Sequence, residues 1–375
     1  MPERYDAAVV GAGILGLAHA TQLARLGRRV VVFERDPKAQ GASVRNFGMI
    51  WPIGQPLGDL HNLASRSRDL WLEVLESAGL WHERTGSLHL SYHATETAVI
   101  GEFISAAAKQ GVDCEWLEAG DVRSRSPGVR GVGLEGALWS PGEVCVDPRE
   151  VMAQLPTWLQ REYGVQFEFG TAVTSYTCPQ VHAGGSTWEA DELYVCSGTD
   201  LRTLYPEVLA ASGIEMCKLQ MMRTAPQGGN WRLGPLLAAG LTLCHYHSFR
   251  ECPSMSALKS RIADEYPRHV DHGIHVLASQ NGSGEVVLGD SHEYGDDVEI
   301  FDKEEIDALV LEYLSGFLEI PDPRIVSRWH GIYGKHPTKP YFTDQPADGV
   351  TIVTGIGGNG MTLSFGVAET MTQGL

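Results

Sequence analysis

Residues 5–16, YDAAVVGAGILG, run an apolar segment straight into the spacing GxGxxG at Gly11, Gly13 and Gly16. Tyr5 to Val10 reads as a short buried strand and Leu15 to Leu26 has helical spacing; Gly27 and the apolar run Arg29 to Phe33 then complete a βαβ unit of about 30 residues. In that setting Gly11 permits the tight turn, Gly13 lets backbone approach a pyrophosphate, and Gly16 lets the helix lie close on the sheet. The helix start at Ile14 and Leu15 offers free N–H groups and the positive end of a dipole to phosphates. Glu34 lies 18 residues beyond Gly16, where a carboxylate accepts ribose hydroxyls and repels a 2′-phosphate, which disfavours NADP. Dinucleotide binding is the expectation and a glycine-rich structural turn the competing reading; the motif alone does not choose between FAD and NAD.

The chain has 375 residues, 43% of them hydrophobic, enough for a sizeable core and for two domains. Its formal net charge of −18 argues against nucleic acid or an anionic membrane as partner, so an anionic substrate needs a local basic pocket. Seven scattered cysteines with no CxxC pair suggest neither a zinc site nor a redox dithiol, and fit a reducing cytoplasm. The apolar run 7–20 follows Glu3 and Asp6 and carries the fingerprint glycines, so it reads as structure and not as a signal segment. No run reaches the roughly 20 apolar residues of a membrane span.

Further along, helices are expected near 63–78, 95–110 and 148–163, and strands at 87–92, 166–174, 192–196, 274–280, 285–289 and 350–353. The stretch 122–142, rich in Gly, Pro and charge, reads as loop. After the last strand come Gly355, Gly357, Gly358 and Gly360 and then a helix start, so backbone is expected to approach something closely there. An ordinary strand-to-helix turn is the alternative.

Two stretches go further: Gln40-Gly41-Ala42-Ser43-Val44-Arg45-Asn46-Phe47-Gly48-Met49, and Gly355-Ile356-Gly357-Gly358-Asn359-Gly360-Met361-Thr362. They resemble the flavin-contacting segments of the D-amino-acid oxidase, glycine oxidase and sarcosine oxidase superfamily. Val146-Asp147-Pro148, Cys196-Ser197-Gly198-Thr199 and Lys218-Leu219-Gln220-Met221-Met222-Arg223 are similar to further segments of it, in order. The resemblance implies an α/β protein with a discontinuous Rossmann-like FAD-binding domain (1–85, 145–217 and 325–375). It also implies a smaller α+β substrate domain (86–144 and 218–324) with a mixed or antiparallel sheet, as in glycine oxidase. Expected cofactor contacts are Gly11, Gly13, Ile14, Leu15, Gly16, Glu34 and Arg35, then Ser43, Arg45, Asn46, Phe47, Gly48 and Met49. Val173, Ser197 and Gly198 follow, with Gly357, Gly358, Asn359, Gly360, Met361 and Thr362. No cysteine occurs after Cys252, where sarcosine oxidases attach flavin, so the FAD is expected to be non-covalent.

The phrases GASVRNFGMIWP, CKLQMMRTAP, GDSHEYG and RWHGIYGKHP resemble a subgroup of FAD-dependent oxidoreductases associated with bacterial phosphonate degradation. That implies oxidation of an aminoalkylphosphonate to an imine that water hydrolyses, with oxygen giving peroxide or an electron-transfer acceptor in its place. Tyr333 stands where amino-acid oxidases often carry a carboxylate-gripping arginine, while Lys335, His336 and Lys339 are suited to a phosphonate dianion. His247, His292 and Tyr333 are candidate catalytic groups, and Tyr246, Tyr294, His330, Lys335 and His336 candidate substrate contacts. Taken singly, each histidine reads as structural before it reads as functional. No metal-ligand spacing is present, and a homo-oligomer is compatible with all of this. Two readings stay open beside it: a glycine, sarcosine or D-amino-acid oxidase, with Arg223 or Arg250 holding the carboxylate, and a flavin- or NAD-binding module without turnover.

Overall fold

The computed structural model describes residues 4–373; Glu3 and the outermost ends of the expected FAD-binding segments, at 1–3 and 374–375, lie outside them. β1 (Arg4–Val10), α1 (Ile14–Arg25) and β2 (Val30–Glu34) form the expected βαβ unit. β1 pairs in parallel with β2 on one side and with Ser186–Val195 on the other. Gln166–Phe169 continues the parallel set beyond β2, and Val350–Thr354 continues it beyond Ser186–Val195. An antiparallel flank, Val173–Thr177 and Gln180–Ala183, and the edge strand Phe342–Asp344 complete eight strands. Central strands such as VVVFE are buried on both faces, which is why they read as continuous apolar runs.

α1, the long helix Asp59–Ala78 and the C-terminal helix Gly360–Thr372 cover this sheet. Trp71 fixes the last two together: its ring meets Phe365 at 4.7 Å and its Nε1 donates to the Met361 carbonyl at 2.7 Å. Pro148–Tyr163 forms as its sequence dictates, with the Asp147 carboxylate accepting from the Arg149 N–H and Gly164 left-handed at its end.

A second sheet has nine strands, mostly antiparallel, with one parallel pair between Ser87–Ser91 and Leu236–Ala238. Its spine is Glu215–Thr224, paired along its length with Ile325–Lys335. By sheet membership Ile325–Lys335 thus sits with the second sheet, on the other side of the boundary expected at 325. The stretch 122–142 is not all loop, since Ala119–Arg125 is helical and Gly136–Ser140 is a strand buried against Ser87–Ser91. The strand expected over 166–174 is two, Gln166–Phe169 and Val173–Thr177, separated by the left-handed Gly170. Among the described residues no helix is long and apolar enough to cross a membrane.

Candidate active site

The parallel strands point the same way, so β1, β2, Ser186–Val195 and Val350–Thr354 all end at one edge of the sheet. The residues that follow them, Gly11, Arg35, Ser197, Gly198 and Gly355, line one cavity of about 500 Å³. A crevice at the carboxyl ends of parallel strands is where such sheets bind nucleotides. The cavity continues under the second sheet, where Leu219, Met221, Leu277 and Tyr333 form its wall.

The glycine turn is dictated by sterics. Gly11 has φ +99°, and a Cβ there would lie 2.4 Å from the Cys196 carbonyl oxygen. A Cβ on Gly16 would lie 1.9 Å from the Gly11 oxygen, so Gly16 seats α1 on the turn and does not line the cavity. Gly13 is the N-cap of α1 and brings no side-chain cap; a Cβ there would meet only Ser43 Oγ, at 3.3 Å. The Ile14 N–H donates to that same hydroxyl at 2.9 Å. At the end of β2 the Glu34 carboxylate is held by two backbone donors, Ala12 N–H at 2.9 Å and Asp36 N–H at 3.0 Å, one on each oxygen. Each oxygen keeps a further lone pair for a diol. A bare helix start for a diphosphate and a fixed carboxylate for a ribose fit a dinucleotide.

The second expected segment braces itself. Asn46 Nδ2 donates to the Ala42 and Ser43 carbonyls while its Oδ1 accepts the Gly48 N–H at 2.8 Å, and Arg45 Nη1 donates to the His330 carbonyl at 3.1 Å. Ser43, Arg45, Asn46 and Phe47 line the cavity, as do Ile14, Leu15, Glu34, Arg35 and Val173. Gly357, Gly358, Asn359, Gly360 and Met361 close it from the C-terminal side. Three expected contacts stand behind the wall instead. A Cβ on Gly48 would strike the Val146 oxygen at 1.9 Å, Met49 pairs with Cys145, and Thr362 Oγ1 accepts the Trp51 N–H at 3.0 Å. Arg35 reaches the cavity rim but is engaged by Asp200, whose carboxylate also accepts the Arg202 and Thr203 N–H groups.

Of the expected substrate and catalytic groups, Tyr246, His292 and Tyr333 line the cavity. The others are elsewhere. His247 faces a side chamber of about 100 Å³ with Arg250 and Lys259; Tyr246 lines both this chamber and the main cavity. His330 Nδ1 meets Asp302 at 2.9 Å, and the half-exposed Tyr294 accepts from Lys335 Nζ at 3.2 Å. His336 turns into its own loop, where Nδ1 accepts the Thr338 and Lys339 N–H groups. Lys339 is exposed, so the Lys335, His336 and Lys339 grip does not assemble. Lys335 alone stays close, its Cγ 3.2 Å from where a Gly357 Cβ would be.

Sequence reading missed His275, which lines the cavity together with Asp290. Its only signal was a polar residue inside an apolar run. The His275 ring is stacked 3.6 Å from His245 and 4.7 Å from His292, three histidines brought together from separate segments. Burial lowers the His292 pKa to about 4 and those of His245 and His275 well below the ordinary imidazole value, so the three are neutral. Burial likewise pushes the Asp290 carboxyl well above its ordinary range.

A family model described as FAD dependent oxidoreductase matches residues 6–374. The chain is 26% identical to glycine oxidase of Geobacillus kaustophilus (strain HTA426) over 212 residues, 53% of this chain and 55% of that protein. It is 29% identical to monomeric sarcosine oxidase of Bacillus sp. (strain B-0618) over 146 residues, 38% of this chain and 37% of that one. It thus spans about half the length of the first curated relatives it matches. Among solved structures, L-proline dehydrogenase from P. horikoshii superposes with a TM-score of 0.78 at 20% identity, covering 100% of this chain and 95% of that one. Glycine oxidase from Bacillus cereus ATCC 14579 superposes with 0.78 at 17%, covering 98% and 94%. The fold is therefore the glycine oxidase fold, and the match from residue 6 to residue 374 makes this chain a member of the FAD-dependent oxidoreductase family.

Proposed function

We propose that this FAD-dependent oxidoreductase oxidises a small amine, and that an aminoalkylphosphonate such as 2-aminoethylphosphonate or its N-methyl derivative is the substrate class. The observation that carries the first part is the continuity of one cavity from Gly11 and Glu34 to Tyr246, His292 and Tyr333, so nucleotide site and substrate wall are one space. The names of the relatives, glycine oxidase and sarcosine oxidase, support amine chemistry. For the phosphonate, support comes from the subgroup phrases, from Tyr333 in place of an arginine, and from Lys335 beside the wall, whose charge further lowers His275 and His292.

In this reading Gly11, Gly13, Ile14 and Leu15 would hold the diphosphate of FAD, Glu34 its ribose, and residues 43–47 and 357–361 its ring end. Bound FAD supplies a two-electron acceptor that takes a hydride from the carbon bearing the nitrogen. The protein contributes orientation and dryness: Leu219, Met221 and Leu277 exclude water, Tyr333 presses the substrate from the second sheet, and Tyr246 does so from the turn after Gly240–His245. The helix start at Gly360 faces the cavity with its dipole, which favours negative charge on a reduced ring. Water then hydrolyses the imine, and oxygen closes the cycle as peroxide. The domain division follows the same logic, with nucleotide held by the parallel sheet and substrate covered by the other.

Anaerobic addition of 2-aminoethylphosphonate or its N-methyl derivative is expected to bleach the oxidised flavin spectrum. Bleaching by glycine, sarcosine or D-alanine alone removes the phosphonate and leaves the second reading, which the relatives' names favour. Lys335→Ala is expected to raise KM for the phosphonate several-fold with little change in kcat; an unchanged KM takes Lys335 out of the site.

A further inference from the structure

The wall of the cavity beneath the second sheet is made of acceptors that nothing fills. Asp290 and His275 are 4% and 3% exposed, yet Asp290 Oδ1 and His275 Nδ1 have no hydrogen-bond partner among the described residues. His275 Nε2, 3.4 Å from that carboxylate oxygen, is the group recorded beside it. His245 and His292 stack on His275 and are neutral, so they add lone pairs and no charge. Beside them stand Tyr246, from the turn after Gly240–His245, and Tyr333, from Ile325–Lys335, whose phenols burial keeps protonated; the half-exposed Tyr294 stacks 6.0 Å from His292. Cys217 on Glu215–Thr224 is held as a thiol in the same way. His247 lies beyond His245 with its pKa lowered by burial and by Arg250, and Lys335 carries the positive charge felt by all three stacked rings.

An unpartnered carboxyl oxygen and an unpartnered ring nitrogen, buried side by side in the wall of one cavity, fit a ligand group that donates, and the group of that kind in an amine substrate is its ammonium. We infer that Asp290, backed by His275, receives the substrate's ammonium group and removes the proton that must leave before oxidation. The inference rests on the amine-oxidising reading above. In the step, one N–H bond breaks, its electron pair stays on nitrogen as the lone pair that drives loss of hydride from the adjacent carbon, and the proton ends on Asp290 Oδ1. His275, its Nε2 3.4 Å from that oxygen, positions the carboxylate. The far end of the substrate is left pointing away from this carboxylate, towards Lys335.

Without a cation beside it, Asp290 is held protonated by burial, and an ammonium ion reverses that preference. Entry of an ammonium ion therefore expels one proton to solvent. tert-Butylammonium tests this on the FAD-loaded enzyme, because the carbon bearing its nitrogen has no hydrogen to lose. Calorimetric titration at neutral pH in two buffers of different ionisation enthalpy is expected to count close to one proton released per site. Asp290→Asn is expected to release none and to bind at least tenfold more weakly; Asp290→Glu keeps the release.

Absence of binding or of proton release in the wild type overturns the inference, as does an Asp290→Asn enzyme that matches the wild type in the titration. Should Asp290→Asn fail to hold flavin, the wild-type proton count still decides. Stoichiometric zinc or another divalent ion in the purified enzyme also overturns it, because the ring nitrogens of His245, His275 and His292 lie within 4.8 Å of one another and a metal would fill the same acceptors. Failure of every amine to bleach the flavin is a different result and strikes the proposed function itself.

Discussion

Gly11 concentrates two constraints at one atom: its φ of +99° is unfavourable for any side chain, and the space for a Cβ is already filled by the Cys196 carbonyl. Gly11→Ala is therefore expected to cost roughly 1–3 kcal/mol in backbone strain before the clash is counted. The variant is expected to come off the column with less FAD per chain and a lower Tm; equal FAD content and Tm would show the turn tolerates the methyl. Glu143 is a different case, 1% exposed, with its carboxylate accepting from the Ile53 N–H and the Ser87 hydroxyl. Burial raises its pKa to about 7. A carboxyl raised in the folded state contributes stability that is complete below its unfolded value and lost as pH climbs through the folded one. Between pH 4.5 and pH 7 this group removes on the order of 3 kcal/mol, and Glu143→Gln is expected to flatten that fall in denaturant unfolding. Identical pH profiles for the two proteins would contradict it. The glycines and Glu34 were legible because each meets a steric or hydrogen-bonding demand set within one βαβ unit. His275 was not, because its significance comes from three segments meeting in space.

At the scale of elements, the C-terminal helix couples the core to the cavity. Its first turn lines the cavity, and its middle lies so close to Asp59–Ala78 that a Cβ on Gly366 would stand 2.7 Å from the Leu63 carbonyl oxygen. Gly366→Ala is expected to push the two helices apart at a cost of about 1–3 kcal/mol, and to loosen FAD through the displaced residues 357–361. A thermal melt and a flavin retention assay check both; a stable variant with full flavin would mean that the helix pair adjusts without moving the loop. Strands and helices with clear periodicity were readable to within a few residues, Pro148–Tyr163 among them because Asp147 and Gly164 mark its ends. The strand Gly136–Ser140 was hidden by glycine, proline and charge around it, and only its pairing with Ser87–Ser91 makes it a strand. The pairing of Ile325–Lys335 with Glu215–Thr224 is likewise a long-range fact, and it moved a segment expected beside the nucleotide into the other sheet.

Across the whole molecule, a formal charge of −18 surrounds a cavity whose inner wall carries neutral histidines, with Lys335 beside it and Arg250 and Lys259 in the adjoining chamber. Of the residues the sequence suggested for an anionic group, Lys335 and Arg250 thus stay near the cavity, while His336 turns into its own loop and Lys339 is exposed. Everything in the account depends on the parallel-sheet crevice holding a flavin nucleotide by non-covalent contacts. The most direct measurement is the absorbance spectrum of the purified protein, followed by acid precipitation and assay of the supernatant. A yellow protein that releases one FAD per chain into the supernatant is the predicted result. A colourless protein that takes up no FAD on reconstitution, or a flavin that stays with the precipitate, would contradict it.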